Sequence, residues 1–131
     1  MKTKTCWILA VISLSLLAVA LSCRSSTPAA TALVEQRVSV PSGGNTAEVV
    51  FSAKQGQKLR ISLEAESEVL EPYGYLTYPD GSGDYFPRLE DARDGKNSAE
   101  ITLSQDGAHT LAIMEGTNQG GAVQVKVAVV E

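Results

Sequence analysis

The chain has one histidine, His109, and two cysteines, Cys6 and Cys23. Acid–base and nucleophilic catalysis need a base oriented beside a nucleophile, and His109 stands without such company. No HExxH, GxSxG or CxxC accompanies it, and no glycine-rich phosphate loop leads into a helix. His109 follows a turn in an alternating segment, which reads as a strand residue near a sheet end rather than as a base. Zinc is disfavoured for want of nitrogen and sulfur ligands. The expectation is a protein that is not an enzyme. Basic runs are missing too: 11 Lys and Arg face 15 Asp and Glu, for a net charge of −4. That balance argues against nucleic acid and against docking on anionic headgroups. Helical periodicity never lasts beyond a turn or two, so a helical domain is excluded.

There is one long apolar run, CWILAVISLSLLAVALS, 17 residues from Cys6 to Ser22 without a charge. Lys2 and Lys4 precede it and small residues close it, which is the tripartite pattern of a secretory signal. A retained anchor or ordinary signal cleavage competes with this reading, although the run is shorter than the ~20 residues that span a hydrocarbon core. The end of the run, Val19-Ala20-Leu21-Ser22-Cys23, resembles the lipobox of bacterial lipoproteins. Ala20 stands where leucine is commonest, and Leu21 where a small residue is. The resemblance implies cleavage before Cys23 and a thioether to diacylglycerol on that cysteine. It accounts for an otherwise unpaired exported thiol, since Cys6 leaves with the signal and no internal disulfide can form. Acyl chains of the palmitate kind would hold the protein stably at a membrane. Arg24 rather than aspartate follows the cysteine, which by similarity to enterobacterial lipoproteins implies the outer membrane of the cell envelope. Loss of Lys2 and Lys4 leaves nine basic residues against all 15 acids, a net charge of −6.

Three segments are therefore expected: residues 1–22 as signal, 23–32 as lipidated cysteine and flexible tether, and 33–131 as the folded domain. The tether, RSSTPAATA after Cys23, is small and polar and packs poorly. From Leu33 onward, short alternating runs are broken by turn residues. In Lys58–Ala65, Leu59, Ile61, Leu63 and Ala65 share one face, and Lys58, Arg60, Ser62 and Glu64 share the other. Val123, Val125, Val127 and Val129 repeat the pattern near the end, and Ala47, Val49 and Phe51, Ile101 and Leu103, and Thr110–Met114 supply further strands. The prediction is an all-β domain, an antiparallel β-sandwich of jelly-roll or immunoglobulin-like type with about seven to eight strands.

The order of these signals resembles prepeptidase C-terminal β-sandwich domains. Phe51-Ser52-Ala53, the Gly56-Gln57 turn and the strand Leu59–Leu63 match that family's opening. Tyr75-Leu76-Thr77-Tyr78-Pro79-Asp80-Gly81 matches its aromatic strand, and Gln105-Asp106-Gly107-Ala108-His109-Thr110-Leu111 its closing turn and strand. The family usually has tyrosine at the position of His109. The resemblance implies a non-catalytic accessory or stand-alone exported binding module. Some relatives bind calcium, and a related sandwich inhibits goose-type lysozyme in the periplasm.

Beyond the signal, five of six aromatics fall in Pro72–Arg88: Tyr73, Tyr75, Tyr78, Tyr85 and Phe86. Tyrosine offers large, rigid, amphipathic contact area. On a strand, Tyr73 and Tyr75 share one face, while Leu76 and Tyr78 share the other. Tyr85 and Phe86, on the loop beyond, are the candidate partner-binding pair, with Tyr73 and Tyr75 beside them. Aromatics also favour strands without any binding role. The acids Asp80, Asp84, Asp91 and Asp94 offer oxygen ligands of the kind calcium takes. Solvated turns are the preferred reading of them, and no cofactor is expected. The expected function is a lipid-anchored extracytoplasmic module that binds an envelope or extracellular protein or glycan. The alternatives are an inhibitor of a cationic cell-wall hydrolase such as lysozyme, and a structural envelope lipoprotein.

Overall fold

A computed structural model of the protein describes residues 30–130. The expected signal, Cys23 and most of the expected tether lie outside the described residues. Eight strands form: β1 (Thr31–Val40), β2 (Ala47–Ala53), β3 (Lys58–Ala65), β4 (Pro72–Thr77), β5 (Gly83–Tyr85), β6 (Lys96–Thr102), β7 (Gly107–Glu115) and β8 (Gly121–Val130). One 3₁₀ turn, Leu89–Asp91, lies between β5 and β6. β1 opens at Thr31, two residues before the expected domain start at Leu33. Thr31 and Ala32 pair with Val129 and Ala128, and a bulge then skips Leu33.

The strands make two antiparallel four-stranded sheets, ordered β1-β8-β3-β6 and β2-β7-β4-β5. Consecutive strands alternate between the sheets except at the β4–β5 hairpin. This is the jelly-roll member of the expected sandwich class. The alternation in β3 puts Leu59, Ile61 and Leu63 wholly inside, against Val123, Val125 and Val127 of β8 and Leu111 and Ile113 of β7. Each such side chain contributes about 1.5–3 kcal/mol on burial.

The connections define two poles. Residues 41–46, 66–71, 86–95 and 116–120 cluster at the pole where β1 ends, because Val40 pairs with Gly121, and Pro72 with Glu115. Residues 54–57, 78–82 and 103–106 lie at the opposite pole, where β1 begins.

The first pole is held by two buried polar side chains that alternation does not reveal. Glu115, 4 % exposed, accepts hydrogen bonds from the amides of Glu71 (3.2 Å), Thr117 (2.7 Å), Gln119 (3.1 Å) and Gly120 (3.4 Å). Burial alone would raise its pKa. The hydrogen bonds from Thr117, Glu71 and Gly120 outweigh that and hold the carboxyl below its ordinary value. Asn97, on the inward face of β6, donates to the carbonyls of Pro72 (3.0 Å) and Arg88 (2.8 Å). It thereby ties one sheet to the segment that follows β5.

Candidate functional site

The two outer faces of the sandwich differ in chemistry. On the β1-β8-β3-β6 sheet, charges alternate outward and pair across strands. Arg60 and Lys58 meet Glu100 (2.5 and 2.7 Å), Lys96 meets Glu64 (3.1 Å), and Lys126 meets Glu35 (3.8 Å). Arg37 at its edge reaches Glu66 (2.5 Å). Such exposed pairs add little stability, and they make a self-neutralised, hydrated surface.

The β2-β7-β4-β5 sheet is different. Its outward strand residues are Glu48, Val50 and Ser52 of β2; Ala108, Thr110, Ala112 and Met114 of β7; Tyr73, Tyr75 and Thr77 of β4; and Gly83 and Tyr85 of β5. Glu48 is the one charged side chain among them. Register sets Glu48, Ala112, Tyr75 and Tyr85 in one row across the sheet, with Val50, Thr110, Thr77 and Gly83 in the next. Val50 is 62 % exposed and Tyr85 52 %.

Tyr85 is the centre of this surface. Its ring lies edge-on to Tyr75 (centroids 5.1 Å, 81°) and tilted to Tyr73 (6.2 Å, 36°). Such edge-to-face contacts hold the rings in place. Beside them a groove of about 400 Å³ is lined by Tyr73, Asp84, Tyr85, Arg88, Leu89 and Glu90. The Asp84 carboxylate accepts from the Tyr85 amide (2.7 Å), which fixes the residue that carries the central ring.

Local backbone geometry sets this arrangement. Gly74 exchanges hydrogen bonds with the segment after β5: its amide donates to the Pro87 carbonyl (3.0 Å), and its carbonyl accepts from the Phe86 amide (2.8 Å). A Cβ on Gly74 would stand 2.5 Å from the Phe86 oxygen, so glycine lets the two backbones touch.

The expected binding residues are thus divided. Tyr73, Tyr75 and Tyr85 come together on one outward face. Phe86 is turned inward and packs against the core, since successive strand positions face opposite sides. It is therefore not part of the surface that it was expected to share with Tyr85. Tyr78 also faces the core, where burial, with Asp84 adding to it, pushes its phenol above the ordinary value.

The acids do not assemble as calcium ligands. Among the described residues no three His, Cys, Asp or Glu side chains converge as a metal site would require. Asp80 caps its own turn, accepting from the Ser82 amide (2.8 Å) and hydroxyl (2.6 Å). Asp91 and Asp94 sit exposed in the turn before β6 at the other pole. Asp80, Asp91 and Asp94 thus stand in turns, and Asp84 on β5.

His109 is fully buried, stacked on Phe51 (5.6 Å, 10°) and edge-on to Tyr78 (5.6 Å, 73°). Its Nδ1 lies 3.0 Å from the Gly107 carbonyl. It occupies a core position. Sequence reasoning missed Leu89, Arg88 and Glu90 as groove residues, because nothing in the sequence pairs that turn with β4.

No protein-family model matches the chain, and no curated protein matches it. Solved structures do. The pre-peptidase C-terminal domain of a collagenase from Bacillus anthracis is 17 % identical, with a TM-score of 0.57, over 72 % of this chain and 87 % of that one. A periplasmic inhibitor of g-type lysozyme from Aeromonas hydrophila is 14 % identical, with a TM-score of 0.58, over 78 % of this chain and 89 % of that one. The protein has the β-sandwich fold of pre-peptidase C-terminal domains.

Proposed function

We propose that this pre-peptidase-type β-sandwich is a non-catalytic extracytoplasmic binding module, held at the envelope through Cys23, that meets its partner with the Tyr73/Tyr75/Tyr85 face. The observation that carries this reading is the contrast between the two outer faces. One neutralises its own charges, while the other presents three mutually braced tyrosines with exposed Val50, Glu48 as the acid of its outward rows, and Asp84 and Glu90 in the groove at its edge. A surface of this kind supports a role in interaction, since exposed aromatic patches mark contact sites.

The anchor suits that use. β1 begins at Thr31 on the pole away from the groove, and its ten residues extend roughly 30 Å. A tether leading from residue 30 would present residues 66–71 and 86–95 outward from the membrane. Intact mass and membrane partition check the anchor. A diacylated mass beginning at Cys23 is expected for the wild type and lost in Cys23→Ser; an unmodified mass would remove the lipid from the account.

The binding face is tested by exchange of side chains on each sheet. Tyr73→Ala/Tyr85→Ala should keep its melting temperature within about 5 °C and lose an envelope partner that the wild type is expected to retain on purification. Arg60→Ala/Lys126→Ala on the opposite face should retain it. The reverse pattern would move the site to the other sheet.

A second reading, inhibition of a lysozyme-like cationic hydrolase, is favoured by the backbone likeness to the periplasmic inhibitor. The excess of acids in residues 66–71 and 86–95 suits a basic enzyme. It predicts a salt-sensitive fall in the lytic rate of a g-type lysozyme; a rate unchanged by excess protein would dispose of it.

A further inference from the structure

We infer that the groove beside Tyr85 seats a lysine or arginine side chain of a basic partner protein. The inference rests on the binding face proposed above and names what that face recognises. Two features of the groove, its walls and its acids, and the charge of the loops around it point the same way.

Its walls are the rings of Tyr73 and Tyr85 and the side chain of Leu89, which is 39 % exposed. An aromatic face attracts a cation, and the apolar walls accommodate the methylene stem of lysine or arginine. Its acids are Asp84 and Glu90. Asp84 is already oriented by the Tyr85 amide, so its charge is fixed beside the central ring.

The groove also has a cation of its own. Arg88 stands 3.6 Å from Glu90 in an exposed pair, an interaction weak enough for an incoming cation to displace. The surrounding loops add negative charge to that of Asp84 and Glu90. Glu66 is paired with Arg37, and Glu68 and Glu71, with Glu90, Asp91 and Asp94, still outnumber Arg88 and Arg93 in residues 66–71 and 86–95. Arg93 is occupied in donating to the carbonyls of Glu90 (2.7 Å) and Ala92 (2.6 Å). A basic protein would be steered to this pole, and a flat neutral ligand would gain nothing from it.

The test uses the protein purified from the producing bacterium, with tyrosine rings isotopically labelled and read by NMR. Hexalysine is the probe, with hexaglutamate and a chitin hexasaccharide as comparisons. Hexalysine should move the Tyr73, Tyr75 and Tyr85 resonances and leave core Tyr78 still. Asp84→Asn/Glu90→Gln should weaken it about fivefold or more, as should raising salt from about 50 to about 300 mM. Arg88→Ala, which removes the competing cation, should tighten it about twofold or more. No movement with hexalysine, or equal affinity in all variants, overturns the inference. Movement of the same three tyrosines by the hexasaccharide alone would also overturn it, while leaving the binding face in place. Copurification that survives Tyr73→Ala/Tyr85→Ala would instead remove the face itself.

Discussion

Glu115→Ala is expected to destabilise the domain by about 2–4 kcal/mol, because it strips a buried acceptor from several amides at once. The amides of Glu71, Thr117, Gln119 and Gly120 converge on this carboxylate and join the β7–β8 turn to the start of β4. Some of them will recover water at the pole, which keeps the cost below the sum of four charged hydrogen bonds. Glu115→Gln should lose a large part of the same stability. It keeps the shape, but it removes the charge and offers an NH₂ where an oxygen accepts. The folded carboxyl has a lowered pKa, so its stabilisation is complete above the unfolded value. It disappears as the pH falls below about 4.3 and on through the lower folded value. Urea midpoints measured from pH 7 to pH 3 should therefore fall more steeply for the wild type than for Glu115→Gln. Parallel pH profiles would contradict this role for Glu115.

Gly74→Ala should cost a comparable amount, about 2–4 kcal/mol, and should also disturb the tyrosine face. The added methyl would stand 2.5 Å from the Phe86 carbonyl oxygen and 2.8 Å from Leu111 Cδ1. The first neighbour is backbone in the segment that follows Tyr85, and the second is core. Relief of either contact pushes residues 86–88 outward, taking Tyr85 and the Arg88–Glu90 side of the groove with them. Gly81→Ala is the comparison. Gly81 has open space around its Cβ position and φ of +85°, so it should cost only about 1 kcal/mol from left-handed backbone. Thermal unfolding of both variants, with near-ultraviolet circular dichroism for the tyrosine environment, separates the two effects. Equal, small losses in both would mean that the β4 contact is more yielding than its geometry indicates.

The sandwich was legible where one face of a strand is apolar and the other wet. β3 and β8 were read from alternation because Leu59, Ile61 and Leu63 and the valines of β8 meet a common core. β5 was not, since Gly83-Asp84-Tyr85 lies among turn residues and is a strand only through its register with Tyr75 and Thr77. The start of β6 was hidden for another reason. Inward-facing Asn97 replaces an apolar residue there, and the carbonyls of Pro72 and Arg88 that accept from its Nδ2 are brought to it by long-range contacts. Tyr73 and Tyr75 were correctly expected on one face, whereas Phe86 was placed with Tyr85. The side on which an aromatic next to a strand end falls is decided by pairing of the strand, which composition does not encode. Glu115 was invisible for the same reason: a buried carboxylate is recognisable by the amides around it, and three of its four donors lie in the turn that follows.

The most direct measurement is photo-crosslinking in the producing bacterium, with a photoreactive amino acid at position 85 in one strain and at position 62 in another. Tyr85 is on the tyrosine face, and Ser62 is on the ion-paired face beside Ser98. The account predicts a discrete protein adduct from position 85 and none from position 62. Adducts from position 62 alone, or the same adducts from both, would contradict a binding face formed by Tyr73, Tyr75 and Tyr85.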